Sequence, residues 1–400
     1  MSPRSYKKKF LRLSPMYRKR PFVPQRNRIL IYRIGSLGDT LVALPCFHLI
    51  ARTFAGSERI LLTNVPIHAK APATASVLGK SGLIDDYLTY SVGARNISNL
   101  AKLWWKIRSL RISTLIYLAP PRGESAARRD KKFFRLCGVK KIIGIPLGGL
   151  ANHHYDSVTG RYESEASRLA RCLAPLGDAR LNDPTSWSLL LTQEERARAA
   201  SALRPLGGAR FLVFGIASKM QATDWGIANW KALMPKLHRE FPEQTAVFIG
   251  AKEDHQAIAS VAAHWPGRSL NLSGDLTPRE SAAVIQKADT FFGLDSGPMH
   301  LAASVGTACV AIFSARNRPG IWFPFGSAHT AIYHQTECFG CGLESCTVEN
   351  KKCILSISVD EVVTAAKRAR DRGLCMPLDP MSLACPDVYM PSRQPANQRQ

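Results

Sequence analysis

The chain has 400 residues, 46% of them hydrophobic, and a formal charge of +24, which fits two medium-sized domains rather than one or four. Its longest apolar run, from about Leu41 to Ala51, is too short to span a bilayer, so a membrane-spanning chain is excluded. Ten cysteines without a recognisable export signal place the chain, as an expectation, in a reducing cytoplasm.

The first 28 residues hold ten Lys/Arg and no acid, with Phe10, Tyr17 and Phe22 interspersed and no apolar core. Residues 1–26 therefore form a basic arm, suited either to anionic lipid headgroups or nucleic acid, or to life as a solvated extension. From 27 to 180 strand and helix alternate: a strand over 28–32, a glycine turn, and a helix over 39–54. Further strands are predicted at 60–63, 114–118 and 141–145, with helices near 97–110 and 163–173. A polar, Pro-containing stretch at 177–188 marks a linker. The alternation restarts over 181–357, with helices near 193–203, 227–240, 253–263 and 278–287, and strands at 211–214, 245–249, 289–292 and 309–313. A final helix spans 358–373, placed to pack back across the first unit, and 374–400 is a Pro/Ser/Gln-rich flexible tail. This is an α/β chain of two similar units, with a ligand cleft expected at the carboxyl ends of the strands.

Each strand-to-helix turn carries polar chemistry. In the first, Gly35, Ser36 and Gly38 make a tight turn that places Asp39 at the cleft rim. A carboxylate there serves either as general base or as a cap for the helix that follows. The turn after the strand at 211–214 carries Ser218, Lys219 and Thr223, able to ligate a diphosphate or simply to form a solvated loop. After the next strand, Glu253 is placed to take ribose hydroxyls or to favour a helix start. The segment Gly293-Leu294-Asp295-Ser296-Gly297-Pro298-Met299-His300 turns from a buried strand into a helix whose first residue or two include proline, where a missing N–H costs nothing. Such a turn aims free N–H groups at one point, where phosphate binds; the alternative is a capped helix with His300 facing the core. Cys338, Cys341, Cys346 and Cys353 either wrap a structural Zn or Fe ion or pack a loop as reduced thiols. No Asp-x-Asp pair, G-x-S-x-G elbow or H-E-x-x-H motif occurs, which speaks against a metal-held sugar nucleotide and against esterase or zinc-peptidase chemistry.

Together these segments resemble glycosyltransferase family 9, the ADP-heptose:lipopolysaccharide heptosyltransferases and their relatives. The resemblance rests on Arg33-Ile34-Gly35-Ser36-Leu37-Gly38-Asp39-Thr40-Leu41-Val42-Ala43-Leu44-Pro45, then Asn271-Leu272-Ser273-Gly274-Asp275-Leu276-Thr277, then Asp295-Ser296-Gly297-Pro298-Met299-His300-Leu301-Ala302-Ala303 and Pro324-Phe325-Gly326. It runs in consistent order over residues 27 to 372. It implies a GT-B fold, two Rossmann-like domains facing across a cleft, with acceptor bound by 27–180 and nucleotide sugar by 181–357. It further implies an inverting transfer of heptose from ADP-heptose to a lipid-linked glycan with no catalytic cofactor; the basic arm exceeds what the family needs and is expected to reach the inner-membrane surface, with no nucleic-acid partner. By the resemblance Asp39 is the base, Lys219 and Ser218 contact the diphosphate, and Asp295, Ser296, Gly297 and His300 bind the donor. One departure is Thr223, where the family commonly has lysine. It motivates an alternative: a nucleotide-sugar-binding scaffold or sensor without catalysis.

Overall fold

The computed structural model of the chain describes residues 27–65, 74–91, 97–375 and 387–389; the basic arm lies outside them. The first unit contains β1 (Arg28–Tyr32), α1 (Leu37–Leu41), α2 (Leu44–Thr53), β2 (Glu58–Val65), α3 (Thr74–Leu78), β3 (Asp86–Ser91), α4 (Ile97–Ser109), β4 (Thr114–Tyr117), α5 (Glu124–Leu136) and β5 (Lys141–Ile143). Its sheet is parallel throughout, in the order β3-β2-β1-β4-β5. A short hairpin, β6 (Tyr155–Asp156) and β7 (Arg161–Tyr162), leads to α6 (Glu165–Cys172). The predicted helix at 39–54 breaks at Val42 and Ala43, because Pro45 fits only the first turn of a new helix.

The second unit contains α7 (Gln193–Ala202), β8 (Phe211–Gly215), α8 (Ile227–Glu240), β9 (Thr245–Phe248), α9 (His255–Ala262), β10 (Ser269–Asn271), α10 (Pro278–Ile285), β11 (Thr290–Leu294), α11 (Gly297–Ser304), β12 (Cys309–Phe313), β13 (Thr330–Tyr333), α12 (Lys352–Leu355), α13 (Val359–Cys375) and β14 (Asp387–Tyr389). These strands are also parallel, in the order β10-β9-β8-β11-β12-β13-β14. Strands β8, β11 and β12 are buried along their whole length, as expected of a sheet covered by helices on both faces. In each sheet the strand order reverses at one place, β1/β4 and β8/β11, and such switch points open a crevice at the carboxyl edge.

Three expectations need correction here. The final helix, α13, does not cross to the first unit. Val362, Ala365, Ala366 and Ala369 pack with Trp230, Leu233 and Leu237 of α8, and Lys236–Asp360 and Lys367–Glu240 ion pairs pin it there. Of the 374–400 tail, Asp387–Tyr389 pair with β13 as an edge strand, β14, while residues 376–386 and 390–400 lie outside the described residues. The 177–188 stretch is not a free linker, because Trp187 is buried and stacks on Phe325 at 4.7 Å between ring centres.

The two units are joined by a shared core rather than a loose hinge. One apolar cluster includes Ile31 and Phe47 from the first unit and Val213 and Met299 from the second. Arg279 of α10 crosses the junction: it donates to the carbonyls of Val77 (3.0 Å), Leu78 (3.3 Å), Leu189 (2.9 Å) and Leu190 (3.1 Å), and pairs with Glu195 at 2.5 Å.

Candidate functional site

The site is assembled from the turn after β1 and the turn after β11. In the first, Ser36 precedes α1, and the Oδ2 of Asp39 accepts both the Ser36 N–H and the Ser36 hydroxyl, each at 2.7 Å. Asp39 is therefore the third residue of a capping box, not the cap itself. Its Oδ1 makes no hydrogen bond among the described residues. Gly35 has φ +129°, and a Cβ there would lie 2.5 Å from the Asp39 Cγ, so only glycine lets the carboxylate fold back over the turn. Beneath it Arg33 is fully buried. It donates to the carbonyls of Leu118 and Asp39 and faces the carboxylates of Asp39 and Glu165, which offset the burial that pulls its pKa down.

The second turn meets the first directly. A Cβ on Gly38 would sit 3.0 Å from the His300 ring, and one on Gly297 would collide with the Leu37 side chain. The two glycine turns thus touch across the junction, α1 against α11. Burial pushes the His300 imidazole down to about 4, against the opposing pull of the Asp39 charge, so the ring is neutral at pH 7. It lies edge-on to Trp322. Burial likewise raises the Asp295 carboxyl to about 6, opposed by the Asn317 amide, which donates at 3.1 Å, and by the Arg316 charge. Ser296 holds the N-cap position of α11 without capping it. Its hydroxyl is buried and, with that of Ser314 at the end of β12, has no partner among the described residues. The two hydroxyls lie at the ends of the neighbouring strands β11 and β12.

The remaining predicted residues divide. Lys219 is exposed, with no ion pair or hydrogen bond among the described residues, and Glu253 is exposed at the carboxyl end of β9. Both are accessible. Thr223 is not: it is buried, its hydroxyl 2.6 Å from that of Ser218 and 3.2 Å from the Met220 carbonyl. The expectation that Thr223 contacts a donor is corrected accordingly, since it ties the turn together from inside. Ser218 remains at the surface of that turn but also bonds the Met220 carbonyl at 2.8 Å.

The four cysteines of the 338–353 loop lie near one another, with Cys338, Cys341 and Cys346 all within electrostatic reach of Cys353. Among the described residues no group of three or more His, Cys, Asp or Glu side chains is arranged to hold a metal ion. Cys341 is exposed, Cys338 lies beside the Thr336 hydroxyl, Cys346 accepts the Lys351 N–H, and burial raises the Cys353 thiol. The loop also braces the turn after β8 and the residues after β12. Glu344 accepts the Ala222 N–H, Lys351 bonds Asp224, and Arg316 donates to the carbonyls of Gly342 and Leu343. Arg33, Arg316, Asn317 and Lys351 were not anticipated, and only Arg33 lay inside a motif.

A cavity of about 470 Å³ lies between the β6–β7 hairpin and residues 320–326, lined by Tyr155, Arg161, Tyr162, Glu163 and Phe325. A smaller space sharing Ser164, Phe323 and Phe325 with it extends to His300.

Residues 169–352, just under half the chain, match the model of glycosyltransferase family 9 (heptosyltransferase). The chain is a relative of that family. A curated relative, lipopolysaccharide heptosyltransferase 3 of Escherichia coli, is 25% identical over 145 residues, covering 36% of this chain and 40% of that protein. Among solved structures, a family 9 glycosyl transferase from Veillonella parvula superposes with a TM-score of 0.66 at 17% identity, covering 86% of this chain and 98% of that one. The E. coli heptosyltransferase WaaC, solved with ADP, gives 0.57 at 14% identity over 87% and 100%. These likenesses show the fold, GT-B with two Rossmann-like α/β units. Among the described residues no helix is long and apolar enough to cross a membrane.

Proposed function

We propose that this family 9 relative is an inverting, metal-independent glycosyltransferase that moves a sugar, heptose from ADP-heptose by default, onto a lipopolysaccharide or other lipid-linked glycan. The observation that carries this reading is the contact of the two glycine turns, which sets the Asp39 carboxylate close to the buried His300 and the uncapped α11 N-terminus. The donor diphosphate is taken by Ser296, the first turn of α11 and Lys219, with Glu253 toward the ribose and Ser218 at the turn's surface. The acceptor is taken by the cavity at 155–163 and 320–326, whose volume suits a small-molecule ligand and whose aromatic and charged lining suits sugar rings. Asp39 Oδ1 removes the proton from the acceptor hydroxyl. That oxygen forms a bond to the anomeric carbon while the bond to the phosphate oxygen breaks, and the nucleoside diphosphate leaves with the electron pair. Charge growing on the leaving group meets the α11 N–H groups and Lys219.

Asp39→Asn tests this. The variant retains the thermal stabilisation produced by ADP and loses transfer by at least a hundredfold; unchanged turnover refutes the base. A second reading, a donor-binding scaffold without catalysis, is favoured by one observation, the burial of Thr223 where the family commonly has lysine. It is distinguished by donor binding with neither transfer nor donor hydrolysis over any acceptor tried.

A further inference from the structure

The first unit carries a surface that its fold does not explain. Helices α4 and α5 cover one face of the first sheet, where only Ile107 of α4 and Ala127 and Phe134 of α5 and its packing partners are buried. Leu103 is half-buried against the same cluster, while Ile97 (82% exposed), Leu100 (44%), Trp104 (40%) and Trp105 (65%) are open to solvent. The Trp104 indole N–H donates to the Leu136 carbonyl at 3.0 Å, which brings the end of α5 alongside. Leu136 itself is 73% exposed. Five large apolar side chains on one outer face are more than the scattered singles of an ordinary surface.

The segment that carries this face is basic. Residues 97–141 hold twelve Lys/Arg against two acids, and both acids are already engaged, Glu124 by Arg128 and Asp130 by Arg122. Lys102, Lys106, Lys131, Lys132, Lys140 and Lys141 have no acidic partner among the described residues. Indole rings with a polar edge, aliphatic side chains and uncompensated ammonium groups side by side match the interface of an anionic bilayer, where the rings sit at headgroup depth and lysine amines reach the phosphates. Nucleic acid would use the charge but not Ile97, Leu100 and Leu136. In a parallel sheet each crossover helix begins at the carboxyl edge of the strand before it, so α4 and α5 both start beside the cleft. Ile97 and Leu100, in the first turn of α4, are the part of the face nearest the cleft, while Leu136 lies at the far end of α5.

We propose that the α4/α5 face docks this protein on anionic lipid bilayers. The inference deepens the reading of a lipid-linked acceptor and assigns the contact to the folded unit itself, in addition to any contribution of the arm. The test is co-sedimentation of the full chain with phosphatidylglycerol/phosphatidylethanolamine vesicles, against pure phosphatidylcholine vesicles. Partitioning is expected on the anionic vesicles only. Lys131→Gln/Lys132→Gln is expected to weaken it about tenfold or more, and Trp105→Ser to weaken it severalfold, with ADP-induced thermal stabilisation retained in both as a check of folding. Unchanged partitioning in both variants overturns the proposal. So does a wild-type chain that ignores the vesicles and binds duplex DNA in a salt-dependent manner. A chain that binds vesicles as expected yet transfers no sugar sinks the catalytic reading and leaves this one standing.

Discussion

Ser296 occupies the N-cap position of α11. A serine at an N-cap position ordinarily accepts an N–H from the first turn, and its loss costs about 1 kcal/mol. Here the hydroxyl makes no such bond and is buried without a partner among the described residues. Ser296→Ala should therefore leave the melting temperature within about a degree of wild type, or raise it slightly, because an orphaned hydroxyl is removed. ADP affinity should fall about tenfold or more, the worth of a hydrogen bond to a charged group; titration calorimetry separates the two effects. His300 and Asp295 give a pH signature. The His300 ring, held down to about 4 from an ordinary 6.5, binds fewer protons when folded, so its contribution is full above pH 6.5 and is lost as pH falls toward 4. The Asp295 carboxyl, raised from 3.8 to about 6, binds more protons when folded, so its contribution is full below pH 4 and is lost as pH rises toward 6. The two slopes oppose each other in wild type. His300→Asn should expose the Asp295 slope, with unfolding free energy rising relative to wild type as pH drops from 6.5 to 4, by an amount on the order of 2 kcal/mol. An identical pH profile in variant and wild type would refute this assignment.

At the scale of elements, legibility in the sequence tracked burial. Strands such as Phe211–Gly215 and Thr290–Leu294, apolar end to end, announced themselves because both faces are covered. Helix α5, by contrast, was not anticipated. Its Glu124–Leu136 segment buries only Ala127 and Phe134, too thin a stripe to outweigh its charges, and that thinness is itself what leaves the basic face open. Strand β3 escaped for the same reason: it lies at the sheet edge, and Asp86, Thr89 and Ser91 dilute its apolar pattern. The two site turns were legible through their glycines, but the contact between them was not, because the approach of α1 to α11 is a property of two units. Gly297 carries that contact. Gly297→Ala would drive a methyl into the Leu37 side chain. The expected outcome is a loss of about 1–3 kcal/mol in urea unfolding together with impaired transfer, whereas Gly123→Ala, with no atom near its added methyl but a positive φ, should lower stability through backbone strain alone and leave transfer intact.

For the molecule as a whole the question is what holds the units in register. The shared apolar cluster is spread over many side chains, so no single truncation there separates the units. Arg279 is different, since one guanidinium takes carbonyls from α3 and from the 189–190 segment and a carboxylate from α7. Arg279→Ala leaves those carbonyls buried and unpaired, and the expected cost is about 3–5 kcal/mol, the usual penalty for breaking a buried pair. The lower end is favoured because the Glu195 side chain keeps 18% exposure and can be hydrated once its partner is gone. Two observables follow from the position of Arg279 at the junction. Urea unfolding should broaden or split as the units lose their coupling, and transfer should fall while ADP still stabilises the second unit, because the turns proposed to bind donor all lie on one side of the junction. Arg279→Met combined with Glu195→Gln should recover part of the stability in a double-mutant cycle. It should recover little transfer, since packing is restored without the hydrogen bonds that fix the angle between the units. Full transfer in Arg279→Ala, with a single sharp transition at wild-type denaturant, would mean that the apolar cluster alone sets that angle.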